Sequence, residues 1–187
     1  MSSRFENPGA VQSRGCQSTV GSRRQFYPVR MSQRLAAYAV CIQNEQVLLA
    51  LSVPATGEPT WTLPGGRVEQ DEDPYDAVTR ELAEETGCEG IVTQLLGVDS
   101  RLIPAAERAR PGLPDHQNIG IFYQVRITGG ELRPEPNGDT ARSDWMPTAE
   151  IASLRRSSLV DVGLALAQTV PATGHVPLVT VGGLVQH

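Results

Sequence analysis

Residues Gly66–Cys88, GRVEQDEDPYDAVTRELAEETGC, decide the fold of this chain. Asp73 is a favoured helix N-cap, and Pro74 suits the first helical position because proline needs no hydrogen-bond partner there. Gly87 accepts the left-handed backbone that ends many helices. The stretch therefore predicts a helix that starts at Pro74 and ends just before Gly87.

The predicted helix has a charged face. At 100° per residue, Glu81, Glu84 and Glu85 fall within roughly a 100° arc. Carboxylates crowded in this way repel one another, and a hard cation such as Mg²⁺ compensates because it prefers oxygen ligands. An adjoining apolar stripe is expected to pack against the rest of the protein. Its members are Tyr75, Val78 and Leu82.

Each of these features also has a plainer interpretation. An isolated E-x-x-E-E pattern is more often a solvated acidic face, with Arg80 as a surface ion pair. The upstream glycines, Gly65 and Gly66, follow a short apolar strand around Trp61, and Pro-Gly-Gly alone indicates only a turn. A functional site is favoured over these plainer interpretations because all these positions occur together at fixed offsets in the sequence.

Counted from Gly66, the offsets match the pattern G-x5-E-x7-R-E-U-x-E-E-x-G-U, in which U is a bulky apolar residue. A chance match in a chain of this size is on the order of one in a million. The segment resembles the Nudix box, and the chain is identified as a member of the Nudix hydrolases. The one departure is Cys88 at a position usually held by Ile, Val or Leu, and a buried cysteine behaves as a small hydrophobe. The remaining matched positions are Glu72, Arg80, Glu81, Glu84, Glu85 and Gly87.

The resemblance implies a role for each site residue. Arg80 would orient a neighbouring carboxylate, and Glu72 would brace the loop between Gly66 and Asp73. Gly65 and Gly66 would contact the substrate diphosphate. The cofactor would be Mg²⁺, with Mn²⁺ as a substitute. Its ligands would be the carbonyl of Gly65 and the carboxylates of Glu81, Glu84 and Glu85, which with Arg80 would form the catalytic set.

The resemblance also implies an α/β fold, the Nudix alpha/beta/alpha sandwich with a mixed beta-sheet between helices. We expect that domain over residues 31–170, a disordered extension over residues 1–30, and a tail of undetermined structure over residues 171–187. Patterning predicts strands over 35–43 and 46–53, joined as a hairpin at Asn44-Glu45. It predicts a second hairpin at Gly129-Gly130, a loop over residues 101–117, and a helix capped by Ser157 or Ser158.

Composition narrows the class of protein. The net charge of -5 does not favour nucleic acid as a partner, and no apolar run is long enough to span a bilayer. All 16 basic residues are arginines, so lysine Schiff-base chemistry is excluded. Three cysteines without a C-x-x-C pair suggest neither a disulfide framework nor a zinc site. A cytoplasmic protein is expected, and a homodimer is compatible with the resemblance.

The sequence leaves several candidates for the general base and for the substrate. Glu81 or Glu84 could accept the proton of the attacking water, as could a carboxylate of a later loop. Pro104 lies sixteen residues after Cys88, near the spacing of a marker proline in ADP-ribose pyrophosphatases of the family. Arg101 and Glu107 are candidate substrate-binding residues in the same loop. The later carboxylates are Glu107, Asp115, Glu135, Asp139 and Asp144.

Two functions of different classes follow. The first is a Mg²⁺-dependent hydrolase that splits the pyrophosphate bond of a nucleoside diphosphate joined to another group. ADP-ribose or a nucleotide sugar is slightly favoured over an oxidised nucleoside triphosphate of the MutT-like kind. The second is a nucleotide-binding sensor without turnover, which the complete set of box carboxylates disfavours.

Overall fold

The computed structural model describes residues 31–53, 58–108, 112–136 and 138–177 and the backbone of residues 185–186. Residues 1–30, for which we predict disorder, lie outside this range. Two 3₁₀ helices span Ala105–Glu107 and Thr148–Ser153. The strands and α-helices within the described residues are β1 (Ser32–Val40), β2 (Ile42–Gln43), β3 (Gln46–Ser52), β4 (Thr60–Thr62), β5 (Gly65–Arg67), α1 (Pro74–Thr86), β6 (Cys88–Ile103), β7 (His116–Gly130), β8 (Thr140–Pro147), β9 (Arg156–Ser157), α2 (Ser158–Thr169) and β10 (Val185–Gln186).

The strands form two sheets. The first has the order β5-β1-β7-β6 and is mixed, because β1 and β7 run parallel while its other pairs are antiparallel. The second has the order β10-β9-β4-β3-β2, and β8 pairs with β3. The predicted mixed α/β sandwich is confirmed.

Strand β1 separates two apolar cores. Alternate side chains of a strand point to opposite faces. Ala37 and Ala39 accordingly pack with Val78 and Leu82 of α1. The side chains on the opposite face of β1 pack into a second cluster with α2. The sheet is therefore enclosed by α1 on one face and α2 on the other. The β1 members of the second cluster are Ala36, Tyr38 and Val40.

Helix α1 has the predicted ends. The side chain of Asp73 accepts a hydrogen bond from the Tyr75 amide, and Gly87 takes a left-handed φ of 78°. Val78 and Leu82 are fully buried, as expected. The prediction for Tyr75 is wrong, since this side chain is 49% exposed and contacts Tyr123 edge-on. Tyr75 lies in the first turn at the edge of the core, and Ala77, which is fully buried, packs in the core instead.

The first predicted hairpin is confirmed only at its tip. Asn44 and Glu45 both have positive φ, which suits the tight turn between β2 and β3. The longer strand that precedes them does not continue the hairpin. It breaks at Cys41, and β1 pairs with β5 and β7 in the other sheet. These partners are remote in sequence, so local patterning could not reveal the break.

The second predicted hairpin is wrong. Gly130 ends β7 with a φ of 83°, but residues 131–135 form no strand. The Arg133 amide donates to the carbonyl of Thr86, which ties this segment to the end of α1. The predicted loop over 101–117 is also too long, since β6 runs to Ile103 and β7 begins at His116. Pairing between these two long strands extends both into the expected loop.

Within the described ranges, the two α-helices are both too short to cross a membrane.

Candidate active site

Glu85 occupies the centre of the candidate site. It lies in the last turn of α1, and its Oε2 accepts a hydrogen bond from the Gly65 amide at 2.8 Å. The Thr140 hydroxyl donates to its Oε1 at 3.3 Å. Burial, reinforced by the nearby charges of Glu81 and Glu135, raises the pKa of Glu85 to about 7. The two hydrogen bonds fix this carboxylate in place at a site that raises its pKa.

Arg80 organises the other acidic residues of α1. Its Nε and Nη2 donate to the two carboxylate oxygens of Glu72 at 2.8 and 2.9 Å. Its Nη1 donates to Glu81 and to Glu84, each at 3.0 Å. Nη2 also reaches the carbonyl of Arg67 at 3.1 Å. Glu72 therefore braces the loop through Arg80, as we predict, and the bidentate partner of Arg80 is Glu72.

The two glycines before the loop have different surroundings. Gly65 has a φ of 143°, and a Cβ there would lie 2.3 Å from the carbonyl oxygen of Ala37. A Cβ on Gly66 would instead lie 2.5 Å from Cδ of Glu81. Gly65 thus lets β5 pass close to β1, and Gly66 leaves room for the Glu81 carboxylate.

A cavity of about 500 Å³ opens at Glu85. Thr140 also lines this cavity, and its amide donates to Glu135 Oε2 at 3.1 Å. Thr140 therefore bonds Glu135 through its backbone and Glu85 through its side chain. Asp139 also lines this cavity. Of the later carboxylates considered from sequence, the structure brings Glu135 and Asp139 to Glu85.

A second cavity, of about 390 Å³, adjoins the first, since Arg34, Tyr38 and Leu159 line both. Arg101, a predicted substrate-binding residue, lies here together with Arg108. The structure therefore places Arg101 beside the cavity that holds Glu85.

Two other predicted carboxylates, Asp115 and Asp144, lie elsewhere. Glu107 ends the 3₁₀ helix Ala105–Glu107, and its side chain lies outside the described atoms. Asp115 accepts a hydrogen bond from the Ala105 amide, and Asp144 forms an ion pair with Arg142. Neither lines the cavity at Glu85.

Sequence reasoning missed several residues that line the site. Arg34 and Tyr38 lie on β1, and Asn118 lies on β7, where its amide donates to the Tyr38 hydroxyl at 3.2 Å. Thr140 begins β8. An even spacing along β1 is the one signal that could have linked Arg34 to Tyr38, because it puts them on one face of the strand. No comparable signal points to Thr140 or Asn118.

The donors at Glu85 suit a hard divalent cation. Among the described residues, no three Asp, Glu, His or Cys side chains lie close enough together to form a metal-ligand cluster. Glu81 and Glu84 are engaged by Arg80 instead. Burial raises the pKa values of both Glu85 and Glu81, although Arg80 offsets part of the negative charge of Glu81. Carboxylate oxygens with unmet charge are ligands that Mg²⁺ favours.

Comparison with known proteins gives a family and a fold. The NUDIX domain model matches residues 32–162, well over half of the chain. The 8-oxo-dGDP phosphatase NUDT18 of Mus musculus is 25% identical over 156 residues, which are 78% of this chain and 44% of that protein. An RNA pyrophosphohydrolase of Mesorhizobium japonicum is 29% identical over 113 residues, which are 50% of this chain and 60% of that one. The chain thus spans less than two thirds of the length of these curated relatives.

Two solved structures share the architecture. A NUDIX hydrolase from Nitrosomonas europaea superposes with a TM-score of 0.65 at 19% identity, covering 79% of this chain and 94% of that one. The NUDIX domain of Shewanella oneidensis NrtR, crystallised with ADP ribose, gives a TM-score of 0.55 at 19% identity, covering 73% and 87%. At these identities the likeness concerns the fold. Together with the box on α1 and the matched domain, it establishes that this chain belongs to the NUDIX family.

Proposed function

We propose that this protein is a divalent-metal-dependent hydrolase that cleaves the pyrophosphate bond of a nucleoside diphosphate joined to a second group. The observation that carries the proposal is the setting of Glu85. Its carboxylate is held by Gly65 and Thr140 at a cavity wall, with Glu81 and Glu135 nearby and a pKa raised to about 7. A protein keeps such a poorly compensated charge where a cation or a phosphate-bound metal completes it.

The cation would be held by Glu81, Glu84, Glu85 and the carbonyl of Gly65. Bound there, Mg²⁺ would neutralise phosphate oxygens and lower the pKa of a water molecule. Arg80 positions Glu81 and Glu84 by hydrogen bonds of 3.0 Å. The exposed Glu84 can turn toward a ligand more readily than Glu81, whose side chain is 15% exposed.

We assign the proton-accepting role to Glu135. It lines the same cavity as Gly65 of β5, and the Thr140 amide fixes one of its oxygens at 3.1 Å. Its second oxygen is not bound by Thr140. A carboxylate oriented in this way and facing the cavity can take a proton from water that attacks the diphosphate. Asp139 lines the same cavity without a comparable tie to Glu85.

For the substrate we favour ADP-ribose or a nucleotide sugar. Two adjoining cavities of about 500 and 390 Å³ suit a molecule with one group on each side of a diphosphate. A MutT-like reaction on an oxidised nucleoside triphosphate is the second candidate. The relative that covers 78% of this chain is named as an 8-oxo-dGDP phosphatase, which favours including oxidised nucleotides in the test. A cytoplasmic location and a homodimer stay predictions.

Product release from a substrate panel tests the proposal. The panel holds ADP-ribose, nucleotide sugars, dinucleoside polyphosphates, and normal and oxidised dNTPs, each with Mg²⁺, with Mn²⁺ and with EDTA. AMP from ADP-ribose, lost on chelation and in Glu85→Gln, is the expected result. Glu150→Gln is the matched control, because Glu150 is exposed on the 3₁₀ helix Thr148–Ser153 and lines neither cavity. Nucleotide binding without any turnover would replace the hydrolase with the sensor.

A further inference from the structure

The second cavity differs in charge from the first. Among the described residues, the first cavity is lined by three carboxylates and one guanidinium group. The second is lined by three guanidinium groups, those of Arg34, Arg101 and Arg108, and by no carboxylate. Asp99 forms an ion pair with Arg101 at 3.1 Å but does not line the cavity. A cavity with this excess of positive charge favours an anion.

The cationic groups are held in place by the fold. Arg108 Nη1 donates to the Ser32 hydroxyl at 3.0 Å and to the Pro114 carbonyl at 3.1 Å. The same hydroxyl lies 2.8 Å from Nδ1 of His116. Burial, followed by the charges of Arg108 and Arg34, lowers the pKa of His116. The imidazole is therefore neutral at neutral pH, and it can offer a hydrogen bond to an anion while the arginines supply the charge.

Arg34 lies where the two cavities meet. Its Nε is buried and has no hydrogen-bond partner among the described residues. A buried donor without a partner is costly, and native proteins usually satisfy such groups with water or a ligand. An anionic oxygen in the adjoining cavity would satisfy this one. The start of α2 adds to the effect, since Ser157 caps that helix and both Ser157 and Ser158 line the cavity.

We propose that this second cavity is an anion subsite for a phosphate group that the substrate carries beyond its scissile diphosphate. The inference rests on the proposed function, because it assumes that the scissile diphosphate lies at Glu85. The guanidinium groups of Arg34, Arg101 and Arg108 would bind the additional phosphate, and Asn118 and the Tyr38 hydroxyl would face the adjoining sugar. The preferred substrates are then nucleoside diphosphate derivatives that bear a further phosphate monoester.

Substrate pairs that differ by one phosphate test this selectivity. We compare kcat/KM for ADP-ribose with that for its 2′-phosphate and its 1″-phosphate, which place the extra group on either side of the diphosphate. The wild-type protein should prefer one phosphorylated compound by at least tenfold. Arg34→Gln and, independently, Arg101→Gln should lower kcat/KM for the preferred phosphorylated compound at least tenfold more than kcat/KM for ADP-ribose. Arg126→Gln, an exposed arginine outside both cavities, is the matched control.

A binding measurement separates the subsite from turnover. Inorganic phosphate is titrated without metal while the imidazole resonances of His116 are followed by NMR. A saturable shift, weakened at least tenfold in Arg34→Gln and unchanged in Arg126→Gln, is expected. Equal kcat/KM for ADP-ribose and its two phosphorylated derivatives, or a His116 signal that phosphate leaves unmoved, would overturn the subsite. A phosphate-responsive His116 with no turnover of any compound would contradict the proposed function while still supporting an anion site in the second cavity.

Discussion

Arg80 and Glu72 are joined by two parallel hydrogen bonds, of 2.8 Å from Nε and 2.9 Å from Nη2. This pairing leaves Nη1 to reach Glu81 and Glu84 on the same helix. The side-chain hydrogen bonds from Arg80 lower the pKa of Glu72 to about 2. Its folded pKa is below the ordinary value of 4.5, so the stabilisation is present above pH 4.5 and is lost as the pH falls toward 2.

Arg80→Lys should therefore reduce activity more than stability. Lysine keeps the charge but loses the planar fork that bonds Glu72 twice, so Glu81 and Glu84 lose their common anchor. We expect kcat/KM to fall about 10- to 100-fold, as for other residues that orient metal ligands. The pair is partly exposed, so the free energy of unfolding should change by less than about 1 kcal/mol. A double-mutant cycle with Glu72→Gln should show that the two effects do not add, whereas additive losses would contradict the shared role.

The pH dependence of stability should reveal Glu85. Its pKa is raised from 4.5 to about 7, so the metal-free folded protein binds a proton more readily than the unfolded chain between those values. The free energy of unfolding should fall as the pH rises across that window, by about 3 kcal/mol. Urea unfolding in EDTA at pH 5 and pH 8 measures the change. Glu85→Gln should flatten the profile, and an unaltered slope in this variant would assign the effect to another group.

Gly65→Ala and Gly66→Ala should separate folding from activity. Alanine at Gly65 meets the Ala37 carbonyl and must adopt a φ of 143°, so we expect a loss of more than about 2 kcal/mol in stability. Alanine at Gly66 meets only the end of the flexible Glu81 side chain, which can rotate away. Its thermal unfolding should be close to wild type, while kcat falls at least about tenfold. Equal effects of the two substitutions on the unfolding temperature would contradict this distinction.

Thr140→Val should test the hydrogen bonds by which Thr140 links Glu85 to Glu135. Valine removes the hydroxyl that bonds Glu85 but keeps the amide that bonds Glu135. We expect kcat to fall about tenfold, because Glu85 loses one of two groups that hold its carboxylate. Thr140→Ser keeps the hydroxyl and should retain most of the activity. If the serine variant lost as much activity as the valine variant, packing of the methyl group would be the cause.

Features with local causes could be predicted from sequence. Helix α1 was predictable because Asp73 and Gly87 act within one turn of its ends, and the fixed offsets of the box placed Arg80 next to its carboxylates. The break at Cys41 was not, because it depends on pairing between β1 and β7, far apart in the chain. Arg34 and Thr140 were missed for the same reason. Their positions at the cavity follow from strand register, which the sequence of either strand alone does not determine.

Because side chains alternate between the two faces of β1, core packing and the lining of the cavities depend on different residues of this strand. Ala37 and Ala39 face α1, while Arg34 and Tyr38 line the cavities on the other side. A change at position 34 could alter which substrates are accepted and still leave unchanged the small residues that pack against helix α1. Related proteins could acquire new substrates through substitutions on the cavity-facing side of β1, while the residues that pack against α1 stay the same.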